Sequence, residues 1–350
     1  MEIFTLKPTV YFGHDALDAL KQMNGKRILV VTDSFLASSG LLEGVRARLR
    51  SSEITLFDQV TPDPSLELVA RGVGVMEGCA PEAVIAFGGG SPMDCAKAMR
   101  RCAGSEIPLW AVPTTAGTGS EMTAYAVLTD TEKGVKHPLA DHSLLPDAAV
   151  LDPTLLEGVP VSVTADTGMD VLTHAVEAYV ATKANPFTDA LAEKAFVMAW
   201  HNLRGACAGQ EKGAHRAAML YASCLAGMAF NGAGLGICHS LAHALGGRLH
   251  MPHGRLNAML LPRVIAFNAS HEESARRYAR LAQLCSLAGS ARALSGAVSR
   301  LLGALNMPRT LTVDDPAAVA ETALADRCTA TNPRTVSRAD LESILRELSR

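Results

Sequence analysis

The stretch Ala83-Val84-Ile85-Ala86-Phe87-Gly88-Gly89-Gly90-Ser91-Pro92-Met93-Asp94 decides the architecture of the N-terminal half. Its first five residues are apolar without alternation, the mark of a strand covered on both faces. The three glycines that follow let backbone amides approach an anion closely. Ser91 is a favoured helix N-cap and Pro92 a favoured first helical residue, so a helix is expected to begin there with its positive end toward the loop. This is pyrophosphate-binding chemistry. The order Gly-x-Gly-x-x-Gly is absent, however, and a plain strand–helix turn would use the same residues.

Working outward, Arg27–Thr32, Pro108–Val112 and Ala148–Leu151 are similar apolar runs, and Ser65–Gly78 and Ser91–Cys102 have helical spacing. Strands without alternation, separated by helices, indicate a doubly wound, Rossmann-like parallel sheet. A second loop, Pro113-Thr114-Thr115-Ala116-Gly117-Thr118-Gly119-Ser120-Glu121, follows the third of these runs. It suits phosphate or ribose contacts, or is a turn capped by its own threonines. Ligands of open sheets sit outside the carboxyl ends of the strands, so two such loops reinforce each other. Asp33 closes the run Arg27–Thr32. Its carboxylate either accepts from a ribose diol, which would select NAD over NADP, or caps the helix that follows.

Beyond Pro160 strand signals vanish and helical patterns dominate, as in Asp189–Leu203 and Ser274–Leu287. An α/β domain over residues 1–155 and an all-helical domain over 156–350 are expected, with a cleft between them. The helical half holds the second informative cluster. Asp170 and His174 stand one helical turn apart, and His239, His243, His250 and His253 fall within fifteen residues. Carboxylate and neutral imidazole are ligands for Fe(II) or Zn(II), so a metal site between two helices is expected. Gly246-Gly247 is expected to end the helix that carries His239 and His243, and to let His253 return to the same pocket. Spacing does not decide which three of the four histidines bind. Glu177, one turn beyond His174, is either a partner behind the ligands or a solvated helix charge. His137, His142, His201 and His215 read as ordinary.

Bulk properties narrow the classes. A net charge of −3 with no basic stripe argues against nucleic acid and anionic membrane as partners. The eight cysteines include no Cys-x-x-Cys pair, and the charged start Met1–Pro8 is no signal peptide, so reduced thiols and a cytoplasmic setting are expected. Cys224–Cys238 is too short for a membrane span. His239-x-x-x-His243 matches zinc proteases only superficially, because Ser240 occupies the place of the required Glu.

Taken together, Gly88–Asp94, Pro113–Ser120, Gly168–Ala178 and Gly236–Gly254 resemble the iron-dependent (group III) alcohol dehydrogenase family, over residues from about 5 to about 270. Asn185–Ala190 and Leu249–Gly254 look most like the propanol and ethanol dehydrogenases of propanediol and ethanolamine utilisation. The resemblance implies an NAD(H)-dependent oxidoreductase acting on a small primary alcohol or aldehyde. It implies metal ligands at Asp170, His174, His239 and His253, for Fe(II) with Zn(II) as the other candidate, and a non-ligating His243 near the nicotinamide that could relay the alcohol proton. Asp33 falls on the residue for the adenosine ribose, Gly89, Gly90 and Ser91 on the pyrophosphate loop, and Thr114, Thr115 and Thr118 on the second loop. Lys136 falls on a lysine that reaches the nicotinamide ribose. A homodimer, and enclosure in a bacterial microcompartment with its other enzymes, are further implications. Nothing is carried over after residue 290. The alternatives are a zinc-dependent glycerol dehydrogenase or dehydroquinate-synthase-like lyase, a metallohydrolase, and a non-catalytic nucleotide-binding module.

Overall fold

The computed structural model describes residues 3–132, 135–208, 212–249 and 251–350, without the side chains of residues 135 and 136. The chain forms two compact units that meet in sequence at Gly158 and Val159, with Phe4 joining the second through a ring stack on Phe187 at 5.4 Å.

In the first unit, strands β1 (Thr9–Phe12), β2 (Arg27–Val31), β3 (Glu53–Phe57), β4 (Ala83–Gly88), β5 (Leu109–Pro113) and β8 (Ala148–Leu151) form one sheet in the order β1-β8-β5-β4-β2-β3. Every neighbouring pair is parallel. β6 (Tyr125–Asp130) and β7 (Val135–Ala140) form a separate antiparallel hairpin. Helices α1 (Ser34–Ser38), α2 (Leu41–Arg48), α3 (Leu66–Cys79) and α4 (Gly90–Cys102) supply the crossovers and cover.

All of β4 and β8 is buried, which is why those strands read as unbroken apolar runs. The edge strands β1 and β3 are half exposed, and neither stood out in the sequence. On one face of the sheet, Leu29, Val84, Ala86 and Ala111 pack with Leu68 and Met76 of α3 and with Met93 and Met99 of α4. A Cβ at Gly72 would lie 2.5 Å from the Met99 sulfur, so glycine there sets the close approach of α3 to α4. From β2 the chain passes to β3 on one side and then to β4 on the other. The strand order therefore reverses at β2/β4, the point where open sheets bind ligands.

The second unit contains α5 (Val161–Val180), α6 (Pro186–Cys207), α7 (Lys212–Ala233), α8 (Ile237–Leu249), α9 (His253–Asn268), α10 (Glu272–Leu284), α11 (Ala291–Ala304), α12 (Pro316–Ala325) and α13 (Arg338–Leu348). α5 is buried at every position from Gly168 to Val180, as befits a central helix. The stretch from Asn185 is a helix start: Asn185 accepts from the Phe187 and Thr188 amides, Thr188 Oγ1 accepts from the Asn185 amide, and Pro186 is the first helical residue. Among the described residues no single helix is long and apolar enough to cross a membrane.

Two expectations need correction. α8 runs through Gly246 and Gly247 to Leu249, because a glycine in the last turn of a helix costs only about 1 kcal/mol. The turn is made further on, where Pro252 in extended conformation precedes His253 at the start of α9. In addition α4 starts at Gly90, with Gly89 as N-cap and no side-chain cap. Ser91 therefore lies inside the first turn, and Pro92 sits third, where its missing N–H is still no loss.

Candidate metal centre and nucleotide loops

Asp170 and His174 project from one face of α5, and His239 lies in the first turn of α8. Their ligating atoms lie within 4.8 Å of one another, and all three residues are buried. His253, opening α9, brings Nε2 to 3.7 Å from Asp170 Oδ1, while His239 Nε2 stands 3.8 Å from that oxygen. The His174 ring stacks between His239, at 4.6 Å, and Phe230, at 4.5 Å. His250 lies outside the described residues. His243, one turn past His239, stacks on His253 at 5.2 Å but is not among the clustered three.

Two glycines permit this convergence. A Cβ at Gly254 would lie 2.1 Å from the Asp166 carbonyl oxygen and 3.2 Å from Asp170 Cβ, so α9 can bring His253 to α5 only because residue 254 has no side chain. A Cβ at Gly236 would lie 2.8 Å from Glu177 Oε1, so the start of α8 also needs glycine to reach α5. Arg255 adds a two-pronged pair to Asp166, at 3.0 and 2.9 Å.

Glu177 is no solvated charge. It is 3% exposed; Oε1 accepts from the Cys238 amide at 2.7 Å, and Oε2 accepts from the His239 amide at 3.3 Å and lies 2.6 Å from His239 Nδ1. Burial pushes the Glu177 carboxyl up to about 7, against the amide hydrogen bonds that favour its ionised form. Burial also drives His239 well below the ordinary histidine value, so the ring is neutral. A neutral ring donating Nδ1–H to Glu177 carries its lone pair on Nε2, toward Asp170. One carboxylate and three imidazoles at these separations form a donor set that suits Fe(II) or Zn(II).

His243 Nδ1 lies 2.9 Å from Asp326 Oδ2, and the Cys328 amide donates to Asp326 Oδ1 at 2.8 Å. Burial alone would raise the Asp326 carboxyl, but the hydrogen bond and charge of His243 and the contacts of Cys328 outweigh it and hold Asp326 down to about 2. The surrounding segment also meets the start of α8: Asn332 Oδ1 accepts from the Ile237 amide at 3.4 Å, and Thr329 Oγ1 donates to Ser240 Oγ at 2.8 Å. Sequence reasoning took nothing from this region, and an Asp–His pair separated by 83 positions leaves no local signal.

In the first unit, Asp33, Gly89–Ser91 and Thr114–Thr118 follow β2, β4 and β5, three adjacent strands of the sheet. Asp33 Oδ1 accepts from the Leu36 amide at 2.8 Å, so the carboxylate caps α1 in this structure. The two loops interlock: a Cβ at Gly89 would lie 3.1 Å from Thr115 Oγ1, and one at Gly90 2.9 Å from Thr118 Cγ2. The Thr114 amide donates to the Gly88 carbonyl at 3.0 Å, while Thr118 Oγ1 accepts from the Ser120 amide at 3.3 Å. Lys136 pairs with Thr129 across the β6–β7 hairpin, and its side chain lies outside the described residues.

A lysine that the sequence did not flag anchors the second loop. Lys97 in α4 is fully buried and donates to Ser120 Oγ at 2.7 Å, Thr123 Oγ1 at 3.2 Å and the Tyr125 carbonyl at 2.9 Å. Burial lowers Lys97 to about 8 and raises neighbouring Glu121 to about 7, each charge partly relieving the other.

A parallel sheet with two glycine-bearing loops, followed along the chain by a helical unit with a buried Asp–His cluster, is an architecture found among solved alcohol dehydrogenases. A solved 1,3-propanediol oxidoreductase matches it with a TM-score of 0.94 at 36% identity, covering 99% of this chain and 100% of that one. Residues 8–153 match the iron-containing alcohol dehydrogenase family, and residues 164–349 match the C-terminal part of the Fe-containing alcohol dehydrogenase family. The chain therefore belongs to the iron-containing alcohol dehydrogenases, and the family pattern continues past residue 290, further than the motifs alone indicated. The 1-propanol dehydrogenase PduQ of Citrobacter freundii is 44% identical over 99% of this chain and all of its own. The NADPH-dependent butanol dehydrogenase of Clostridium saccharobutylicum is 39% identical over 97% of this chain and 96% of its own.

Proposed function

We propose that this enzyme moves a hydride reversibly between NAD(H) and a small primary alcohol or aldehyde of the propanol/propionaldehyde or ethanol/acetaldehyde type. Asp170, His174, His239 and His253 would hold the cation, Fe(II) by family and Zn(II) by ligand chemistry. The observation that carries this reading is the convergence of Asp170, His174 and His239 within 4.8 Å in a family named for its iron. When bound, the cation supplies Lewis acidity at the substrate oxygen.

The chain's own groups do the rest. Glu177 fixes the ring of His239 in the tautomer that leaves Nε2 unprotonated. Asp326, ionised at neutral pH, accepts the Nδ1–H of His243 and leaves the other ring nitrogen to exchange the proton of the alcohol hydroxyl. The amides of Gly89, Gly90 and Ser91 and the hydroxyls of Thr114, Thr115 and Thr118 would bind the dinucleotide phosphates, with Lys136 toward the nicotinamide ribose. The carboxylate of Asp33 would favour NAD by repelling a 2′-phosphate, in contrast to the NADPH-dependent relative. In the hydrolase alternative a general base would be needed at position 240. Ser240 stands there instead, buried and donating to the Gly236 carbonyl at 3.3 Å. Homodimerisation, a cytoplasmic setting and enclosure in a bacterial microcompartment belong to the same proposal.

The test follows NADH absorbance while metal-loaded protein is incubated with propionaldehyde. Consumption that disappears together with the metal in His253→Ala is expected. Turnover retained by the variant would overturn the ligand assignment, and silence with every cation would overturn the dehydrogenase reading.

A further inference from the structure

One buried polar side chain faces the candidate ligands and belongs to none of the roles above. Asn257 lies one helical turn beyond His253 on α9 and is fully buried. Its Nδ2 donates to Asp170 Oδ1 at 2.7 Å and lies 3.2 Å from His239 Nε2 and 3.0 Å from His253 Nε2. Its Oδ1 has no hydrogen-bond partner among the described residues. Three of the four candidate ligand atoms thus face a single amide nitrogen.

The chemistry of that contact is specific. The Asp170 carboxylate is an acceptor only, and the His239 ring, donating Nδ1–H to Glu177, presents the lone pair of Nε2, so the group facing both must be a donor; the same nitrogen lies 3.0 Å from His253 Nε2. The amide has two hydrogens: one goes to Asp170 and the other to the ring nitrogens. The Nε2 lone pair of His239, set by the Glu177 contact at Nδ1, is then used by an N–H in this arrangement and by a cation in the loaded one. The same electron pair serves both.

We propose that Asn257 stands in for the cation: its amide donors hold Asp170, His239 and His253 together when the ion is out, and compete with the ion for those lone pairs when it enters. Asn257 is thus a positioning residue that keeps the ligand set assembled and sets how tightly the site holds its ion. This inference rests on the metal-site reading. It makes a prediction opposite to that for an ordinary supporting residue, whose loss weakens metal binding about 10- to 100-fold. Because Asn257 stabilises the ion-free state, removing its donors should tighten the apparent affinity. A hydrogen bond to a charged group corresponds to roughly a tenfold or greater change in an equilibrium constant.

Asn257→Leu keeps the approximate shape and removes both donors. Apparent Kd for Co(II) and Zn(II), from chelator competition, and melting temperatures with and without ion would be measured on the full chain. The expected result is affinity about tenfold tighter than wild type, with the ion-free variant melting lower and the loaded forms melting alike. Affinity equal to or weaker than wild type overturns the proposal. A variant that folds only with cation supports it. If Asn257→Leu does not fold even with cation, Asn257→Ala, which leaves room for water, decides by the same sign of change. Wild-type protein that fails to bind either ion, or binding that survives His253→Ala, would instead defeat the metal-site reading itself.

Discussion

Glu177→Gln is the substitution through which the built site can be tested most sharply. The two carboxylate oxygens accept from the amides of Cys238 and His239 and face the ring Nδ1 of His239, with the Gly236 amide also favouring the ionised carboxyl. A glutamine has one oxygen and one NH2 in their place. If NH2 replaces Oε1, it meets the Cys238 amide, donor against donor, at 2.7 Å. If it replaces Oε2, it opposes the His239 amide and turns Nδ1 into an acceptor, which moves the ring proton to Nε2 and blocks ligation. Either orientation strands one buried N–H, at a cost of about 1–3 kcal/mol in stability. Loss of a carboxylate that orients a ligating histidine weakens metal about 10- to 100-fold, or about 1.4–2.7 kcal/mol. Chelator competition with Zn(II) on folded variant and wild type, with denaturant melts of each, reads both quantities. A folded variant with wild-type zinc affinity would refute the role given to Glu177.

Three further outcomes follow from the packing and charges. Gly254→Ala should destabilise the protein by about 1–3 kcal/mol or more in thermal or urea melts and weaken metal binding, because the new methyl would meet the Asp166 backbone at 2.1 Å; unchanged stability and affinity would contradict the packing argument. Glu121 is raised from 4.5 to about 7 in the fold, so folded protein retains its proton longer than unfolded chain and the group's contribution falls as pH rises from 4.5 to 7. Glu121→Gln should therefore gain melting temperature relative to wild type at pH 8 compared with pH 5, and a difference independent of pH would argue against that burial effect. Asp33→Ala should lose about 1 kcal/mol of stability with the α1 cap, and should raise the ratio of NADPH to NADH turnover; an unchanged ratio would leave Asp33 as a cap only.

What the sequence made legible was what local chemistry encodes. Strand β4 and its glycines could be read because full burial removes alternation and the tight turn admits few residue types. Asp170 and His174 could be read because one helical turn places them together on a face. β3 was missed because a short, half-exposed edge strand has neither a buried run nor clean alternation. The start of α4 was misplaced by two positions because Ser91 and Pro92 satisfy the preferences of the first helical turn as well as those of a cap. Lys97 was overlooked because a lysine in a helix ordinarily reads as solvated; only the fold shows it donating to Ser120, Thr123 and Tyr125. The roles of Glu177, Asn257 and Asp326 depend on contacts 62, 87 and 83 positions away, which no local pattern carries.

The central claim is that one cation is shared by side chains from α5, α8 and α9. Anomalous diffraction at the iron edge, from crystals of anaerobically purified protein, addresses it directly. The account predicts a single strong peak at about 2.0–2.2 Å from one Asp170 oxygen and one nitrogen each of His174, His239 and His253. A peak elsewhere, or one lacking any of those contacts, would contradict it.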